Sequence, residues 1–324
     1  EGADGAGNAD AVGVALDSGG NSYVAGRVSG SVMFGSTRVS AISDSDIFLA
    51  KYSSTGNLEW IPQAHATGDG GTVTAAGLAV DPDGKSLVRG DYFGTAVFGG
   101  LTLTGPEGYG YHFMAKYSSA GTPLWAKQIG DNSENSSGEI EPKGIAMDSS
   151  GNTLLTGLFR GANVVPIGLT SSGYSDLFVA KFDRGGNFLW VEGSVGINSA
   201  TAESSQIAVD PLGNSYVSGD FHGRIAFGAT TLMSVGEVNT TDLFFTKLGP
   251  GPTVNDTTPP LIVNVAAPAD GIYAAGQNLD FTVNFSEPVL VTGMPGLSLT
   301  IGAAGRNAQY LSGSETTALL FRYA

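Results

Sequence analysis

The chain contains no cysteine among its 324 residues. Disulfide scaffolds, thiolate metal sites and cysteine nucleophiles are therefore excluded. The compartment stays open, because many exported bacterial proteins also lack cysteine. Histidine is nearly as scarce, with three copies; His65 and His222 lie far apart with no metal-ligand spacing. No Gly-x-Ser-x-Gly elbow, phosphate loop or zinc motif is present. Basic residues number 15 against 30 acidic ones, for a net charge of −15. Such a surface repels phosphate backbones and anionic membranes, which argues against nucleic acid as a partner. No apolar run reaches 18 residues, so no helical membrane span is expected. No signal peptide is visible and the chain begins at Glu1, which reads as a mature or trimmed fragment.

What the chain does have is glycine, at 49 positions, and a repeat. Phe48-Leu49-Ala50-Lys51 recurs as Phe113-Met114-Ala115-Lys116, Phe178-Val179-Ala180-Lys181 and Phe244-Phe245-Thr246-Lys247, in steps of 65, 65 and 66 residues. Trp60, Trp125 and Trp190 keep the same period. A fixed period is the mark of a repeat architecture. Each unit holds four strand signals, shown in the first by Val12–Asp17, Asn21–Gly26, Asp46–Tyr52 and Leu58–Ile61. Asp17-Ser18-Gly19-Gly20-Asn21 is a turn, because glycine and asparagine tolerate positive φ. Turns beginning at Asp81, Asp148 and Asp210 match it. No segment shows a 3.6-residue apolar period over a helix-length window. Four antiparallel strands per unit, stacked on their neighbours, describe an all-β propeller with blades near 12–76, 77–143, 144–205 and 206–249.

The pattern Ile-Ala-Val-Asp-x-x-Gly-Asn-x-Tyr-Val-x-Gly, then Asp-x-Phe-x-x-Lys-Tyr, then Gly-x-x-x-Trp, resembles the bacterial β-propeller repeat family called SBBP over roughly residues 10–250. The resemblance implies an exported or cell-surface bacterial protein and no single activity, since propellers host many functions. The fourth unit lacks its tryptophan strand, and Glu1–Ala11 resembles the loop that follows such a strand. Either the ring closes one strand short or it is incomplete, with blades before Glu1; the second reading accounts for both ends.

Residues 250–260 are rich in Gly, Pro and Thr and read as a stiff linker. Beyond it the period becomes strict alternation, with Leu279, Phe281, Val283 and Phe285 apolar. Asp256-Thr257-Thr258-Pro259-Pro260 and Phe285-Ser286-Glu287-Pro288-Val289 resemble bacterial immunoglobulin-like repeats of large surface proteins. The resemblance implies a β-sandwich over 261–324, but a sandwich of this class needs about 90–100 residues. A partial domain in a longer modular chain is expected.

The repeated charges Lys51, Lys116, Lys181 and Lys247, with Asp17, Asp81, Asp148 and Asp210, are expected to be structural, linking blades by ion pairs or hydrogen bonds, because one ligand rarely needs four equivalent sites. Trp60, Trp125 and Trp190 belong to the same packing. A second acidic position lies seven residues before three of the aspartates, at Asp10, Glu141 and Glu203, with Thr74 in the second unit. With Asp69, Asp131, Glu134 and Glu139 it offers an acidic rim on the long loops. Calcium needs several converging oxygens, and calcium is the one cofactor the sequence suggests. Its other candidate site is Asp256, Asp280 and Glu287 at the domain junction.

Departures from the repeat carry the functional information. Tyr111 and His112 stand where other units have Asp and an aliphatic residue, with Arg89, Asp91, Tyr92 and Tyr109 nearby in the unit. Tyrosines with polar neighbours suit a sugar ring, and a Tyr–His pair suits proton abstraction from a uronic acid. Arg89-Gly90-Asp91 spells a cell-attachment tripeptide, although Gly90 is simply the repeat glycine of Gly26, Gly157 and Gly219. The expected function is a non-catalytic extracellular or cell-surface module for adhesion to a polysaccharide or protein. The alternative is a polysaccharide lyase or glycoside hydrolase whose catalytic domain is the propeller.

Overall fold

The computed structural model describes residues 7–105, 110–131, 138–161, 168–228, 230–235, 240–249, 261–269, 271–274, 276–289, 291, 295–301, 304–313 and 316–324, with backbone alone at 69, 131, 138, 198, 199, 286–288 and 316. Every regular element among them is a strand. The first repeat contains β1 (Asn8–Leu16), β2 (Ser22–Ser29), a β3 (Ser31–Phe34) and β4 (Thr37–Ser40) hairpin, β5 (Asp46–Tyr52) and β6 (Leu58–Trp60). The second contains β7 (Gln63–Val80), β8 (Ser86–Phe98), β9 (Leu101–Thr104), β10 (Gly110–Tyr117) and β11 (Pro123–Asp131). The third contains β12 (Gly138–Met147), β13 (Thr153–Gly161), β14 (Asp176–Phe182) and β15 (Phe188–Gly193). The fourth contains β16 (Val195–Val209), β17 (Ser215–Phe227), β18 (Thr230–Met233) and β19 (Asp242–Leu248).

Each repeat is an antiparallel blade. The third is the simplest, with order β12-β13-β14-β15. The first two blades share one nine-stranded sheet, because β7 starts beside β5 (Ile47 opposite Ala64) before it turns to become the innermost strand of blade 2. In blade 4, β19 pairs with β17, and no strand lies on its other edge among the described residues. The fold is an open, propeller-like all-β array.

The pleat explains why blades need neighbours. Successive side chains of a strand point to opposite faces, and both faces of β10 and β14 are buried. Ile47 and Leu49 of blade 1 pack with Val88, Tyr92 and Phe98 of blade 2. Leu87 and Met114 of blade 2 pack with Leu155, Phe159 and Phe178 of blade 3. Leu177 and Val179 of blade 3 pack with Val217, Phe221 and Phe244 of blade 4. Complete burial of a side chain such as Phe178 contributes about 1.5–3 kcal/mol. Part of the preceding face of blade 1 is covered by its own hairpin, where Val32, Phe34 and Val39 pack on Val28, Phe48 and Ala50, while Val14 and Leu16 are exposed.

All four innermost strands carry a bulge at one place, between Ala11 and Gly13, Ala75 and Gly77, Pro142 and Gly144, and Ser204 and Gln206. Just before it, the carbonyls of Asp10, Thr74, Glu141 and Glu203 press on Gly26, Gly90, Gly157 and Gly219 of the next strand. A Cβ at any of these glycines would lie well inside contact of that oxygen, with a Phe48, Phe113, Phe178 or Phe244 ring edge on its other side. The repeat glycine is thus required by the close approach of two backbones.

Residues Asn255–Ala324 form a second compact unit, separate from Glu1–Val254. Its strands are β20 (Ile262–Ala266), β21 (Leu279–Val289), β22 (Gly296–Ile301), β23 (Ala304–Ser312) and β24 (Thr316–Tyr323), in the order β20-β21-β24-β23-β22. Phe281, Val283 and Phe285 join Ala308, Leu319 and Phe321 in its core. The described residues give one five-stranded sheet, where the immunoglobulin-like resemblance leads one to expect two facing sheets. The linker expected at 250–260 lies outside the described residues.

Gly157→Ala is expected to destabilise the propeller unit by about 1–3 kcal/mol or more through overpacking. Urea unfolding followed by tryptophan fluorescence would measure it, and a change below 0.5 kcal/mol, about the size of an ordinary surface substitution, would contradict the steric account.

Candidate functional site

The antiparallel order places all first-to-second and third-to-fourth strand turns at one end of the array. That end is chemically uniform. The turn backbone bonds repeat at Asp17 to Asn21, Asp81 to Lys85, Asp148 to Asn152 and Asp210 to Asn214, each at 2.9–3.1 Å. The aspartate closes its own turn: Asp148 accepts from the Ser150 and Asn152 amides and from Asn152 Nδ2, at 2.9–3.0 Å. Asp17 and Asp210 do the same and also accept from the hydroxyls of Tyr23 and Tyr216. Asp183 builds an identical turn between β14 and β15. Asx turns of this kind satisfy backbone donors locally. The turns of all four blades frame a cavity of about 470 Å³ with Leu16, Val80, Met147 and Val209 on its wall.

Bonds between blades also concentrate here. Ser18 Oγ donates to the Pro82 carbonyl, and the Tyr23 hydroxyl shares its one proton between Asp17 and the Gly84 carbonyl; both carbonyls lie in the turn of blade 2. Trp60 Nε1 donates to Ser119 O and Trp125 Nε1 to Arg184 O, each in the following blade, at 3.1 Å. The four lysines behave differently from one another. Buried Lys116 donates to Gly151 O of blade 3 at 2.6 Å. Lys181 pairs with Asp148 at 3.0 Å within its blade, Lys51 pairs with Glu59 at 2.9 Å, and Lys247 lies 5.5 Å above the Tyr216 ring. Burial holds the Lys116 pKa below its ordinary value, against the pull of Asp81 and Asp148. Burial pushes the Asp148 carboxyl up, but hydrogen bonds from Asn152 and Lys181 prevail and hold it low.

The six ligand candidates of blade 2 sit mostly between blades. Arg89, Tyr92, Tyr111 and His112 are buried, the side chain of Asp91 is about half exposed, and Tyr109 lies outside the described residues. His112 and Asp91 are direct cross-strand partners, with Nδ1 2.6 Å from Oδ1. Arg89 reaches the Lys143 carbonyl at the bulge of blade 3. Burial lowers the Arg89 pKa, with Asp91 and Glu141 opposing. Arg89 Nε and His112 Nε2 are buried without a hydrogen-bond partner, a cost that Ile47, Leu177 and Leu243 avoid at the position of His112. Tyr92 Oη bonds Gln128 at 3.0 Å and its ring leans on Tyr111, and burial pushes its pKa up to about 12. The Arg-Gly-Asp tripeptide is held in this interface, with Gly90 wedged beside Thr74 O.

Three of the acidic positions are paired off individually. Asp10 binds Arg27 at 2.9 Å, Glu139 binds Arg160 at 3.2 Å, and Glu141 contacts Lys143. Among the described residues no group of three or more His, Asp or Glu side chains is placed to hold a metal. The side chains of Asp69, Asp131 and Glu287 lie outside that description, as do Glu134 and Asp256 altogether. The third junction residue, Asp280, gives both oxygens to Arg322, at 2.6 and 2.7 Å.

The opposite end holds the long loops, and each blade builds them differently. Sequence reasoning missed two features there. Asp46 and Asp176 are fully buried and cap the loop before the third strand: Asp46 accepts from the Ile42 and Ser43 amides, Asp176 from the Ser172 and Gly196 amides. Asp242 accepts from the Val235 amide in the same way. The repeated Asp-x-Phe signal was visible as register, and its capping role follows once the loop is seen to fold back. These caps hold Ile42, Tyr174 and Val235 out into solvent, one on each of blades 1, 3 and 4. The Tyr174 backbone N–H donates a hydrogen bond to Ala200 O, and the Arg160 guanidinium lies 5.2 Å from its ring centre.

Comparison with known proteins agrees with the fold. The family profile described as a beta-propeller repeat, SBBP, matches residues 124–158, which run from β11 of blade 2 into β13 of blade 3. An uncharacterized WD repeat-containing protein of Acanthamoeba polyphaga mimivirus is 26% identical over 217 residues, covering 55% of this chain and 14% of that protein. The chain therefore spans a small part of that relative. Both similarities are to repeat proteins, and with the fold they point to a repeat-based binding or scaffold module.

Asp148 contributes stability above its ordinary titration range near 3.8, and that contribution is lost as pH falls through its depressed folded value. Asp148→Asn removes the charge beside Lys181, so a loss of about 3–5 kcal/mol is expected at pH 7, with a shallower decline below pH 4. Unfolding of both proteins across pH 2–7 checks the sign; parallel curves would contradict it.

Proposed function

We propose that this chain is a non-catalytic binding module of an extracellular or cell-surface bacterial protein, which presents its long-loop end to a polysaccharide or protein ligand. The carrying observation is the exposed set Ile42, Tyr174 and Val235, held by aspartate caps on three blades, buried at Asp46 and Asp176 and partly exposed at Asp242. Preorganised apolar groups are the usual anchors of recognition, since little conformational freedom remains to be lost on binding. Tyr174 with Arg160, itself tied to Glu139, combines an aromatic face with a charged hydrogen-bonding group, a pairing suited to a sugar ring or an acidic chain. The acidic surface elsewhere, at net charge −15, disfavours nucleic acid.

The enzymatic alternative has less support. A lyase needs its base within reach of substrate, while Tyr111 is buried in the core between blades 1 and 2 and His112, its neighbour on the same strand, is buried as well. The second unit is assigned as a spacer of immunoglobulin-like kind, consistent with its alternating strands.

A glycan array run beside a turnover assay on uronic-acid polymers tests this reading. Binding without new unsaturated ends is expected, and Tyr174→Ala should weaken it by about 1–2 kcal/mol, roughly tenfold. Turnover, or binding indifferent to Tyr174 and Ile42, would count against the assignment.

A further inference from the structure

The long-loop end of blade 3 sets an aromatic ring, a cation and a carboxylate side by side. Glu139 of β12 and Arg160 of β13 are direct cross-strand partners, and Arg160 Nη1 donates to Glu139 Oε2 at 3.2 Å. The two side chains are 23% and 33% exposed, so the pair is in part open to solvent. The Arg160 guanidinium lies 5.2 Å from the centre of the Tyr174 ring, yet Tyr174 is still 65% exposed. The loop that carries Tyr174 is tied to two blades. The Tyr174 N–H donates to Ala200 O of β16, the Ala202 N–H donates to Ser175 O, and Asp176 accepts from the Ser172 and Gly196 amides. The ring is therefore placed before a ligand arrives. So is the ion pair, because paired strands carry both of its members.

Arg160 keeps hydrogen-bonding capacity in reserve. Its Nε is buried without an acceptor, and among the described residues its Nη2 and Glu139 Oε1 make no hydrogen bond. A guanidinium only donates and a carboxylate only accepts, whereas a hydroxyl does both. Two adjacent sugar hydroxyls can give a proton to Glu139 and accept one from Arg160 while the apolar side of the sugar ring lies on Tyr174. An acidic sugar matches the site less well. Its carboxylate would meet Glu139 beside Arg160, on a chain of net charge −15, and like charges brought together oppose binding. We infer that this corner of blade 3 binds a neutral sugar residue with two adjacent free hydroxyls, an inference that rests on the binding role proposed above and narrows it. Tyr174 supplies the stacking surface, and Arg160 and Glu139 hold the hydroxyls.

Isothermal titration of the full chain with a soluble glucan, mannan and galactan, and with polygalacturonate, tests this. At least one neutral polymer should bind, and polygalacturonate should not. Glu139→Gln should weaken that binding about tenfold, because the hydroxyls lose a charged acceptor. Tyr174→Phe should leave it within about twofold, because the ring surface remains. Far-UV circular dichroism checks that each variant is folded. Neutral-polymer binding that ignores Glu139→Gln, or a preference for polygalacturonate, would overturn the inference and leave the binding role in place. Binding of none of the four polymers would overturn it as well. The broader role fails separately, if Tyr174→Ala and changes at Ile42 leave untouched the ligand found on the glycan array.

Discussion

The structure depends on the inability of one blade to cover both of its own faces. A four-stranded antiparallel sheet with apolar residues on each side must be sandwiched, and β10 and β14 are, which is why their residues are buried in continuous runs. The same kind of sequence at β19 gives alternating burial, because one side has no neighbouring blade among the described residues. Burial in this protein is a property of position in the array more than of residue type. The polar repeats follow from that constraint: where blades meet, tryptophan, tyrosine and serine donors find carbonyls in the turns of the next blade.

The two ends of the array do different work. At the turn end, local aspartate bonds consume the backbone donors in every blade, and the repeat is kept nearly unchanged. At the loop end, the buried caps Asp46 and Asp176 and the partly exposed Asp242 tie down loops of unlike sequence. Blade 2 has Tyr111 at that position and is the blade whose departures from the pattern turned out to lie between blades. A change in the repeat therefore need not mark a ligand site. Arg89 and His112 replace apolar or small side chains with polar ones inside a junction, and each leaves a nitrogen unsatisfied.

Much of the fold was legible in the sequence because the repeat multiplies weak signals. One Asp-Ser-Gly-Gly-Asn turn or one Phe-Leu-Ala-Lys strand says little; four copies in register define strand order, turn position and the face each residue occupies. The bulge beside Gly26, Gly90, Gly157 and Gly219 was not legible, because a glycine needed for close backbone approach looks the same as one needed for positive φ. Nor could alternation alone show whether Lys116 reaches across to Gly151 while Lys181 turns back to Asp148. Tyr174 escaped notice for the opposite reason: it sits in a loop that obeys no period, and its exposure depends on a cap formed by Asp176 two residues later.

The passage of β7 from blade 1 into blade 2 has a mechanical consequence. Those two blades belong to one continuous ladder of main-chain bonds, whereas the junctions on either side of blade 3 are held by side chains and scattered single bonds. The seams of the array are thus of two strengths. Under heat or tension the first two blades should part as one body, and a crack would open first beside blade 3.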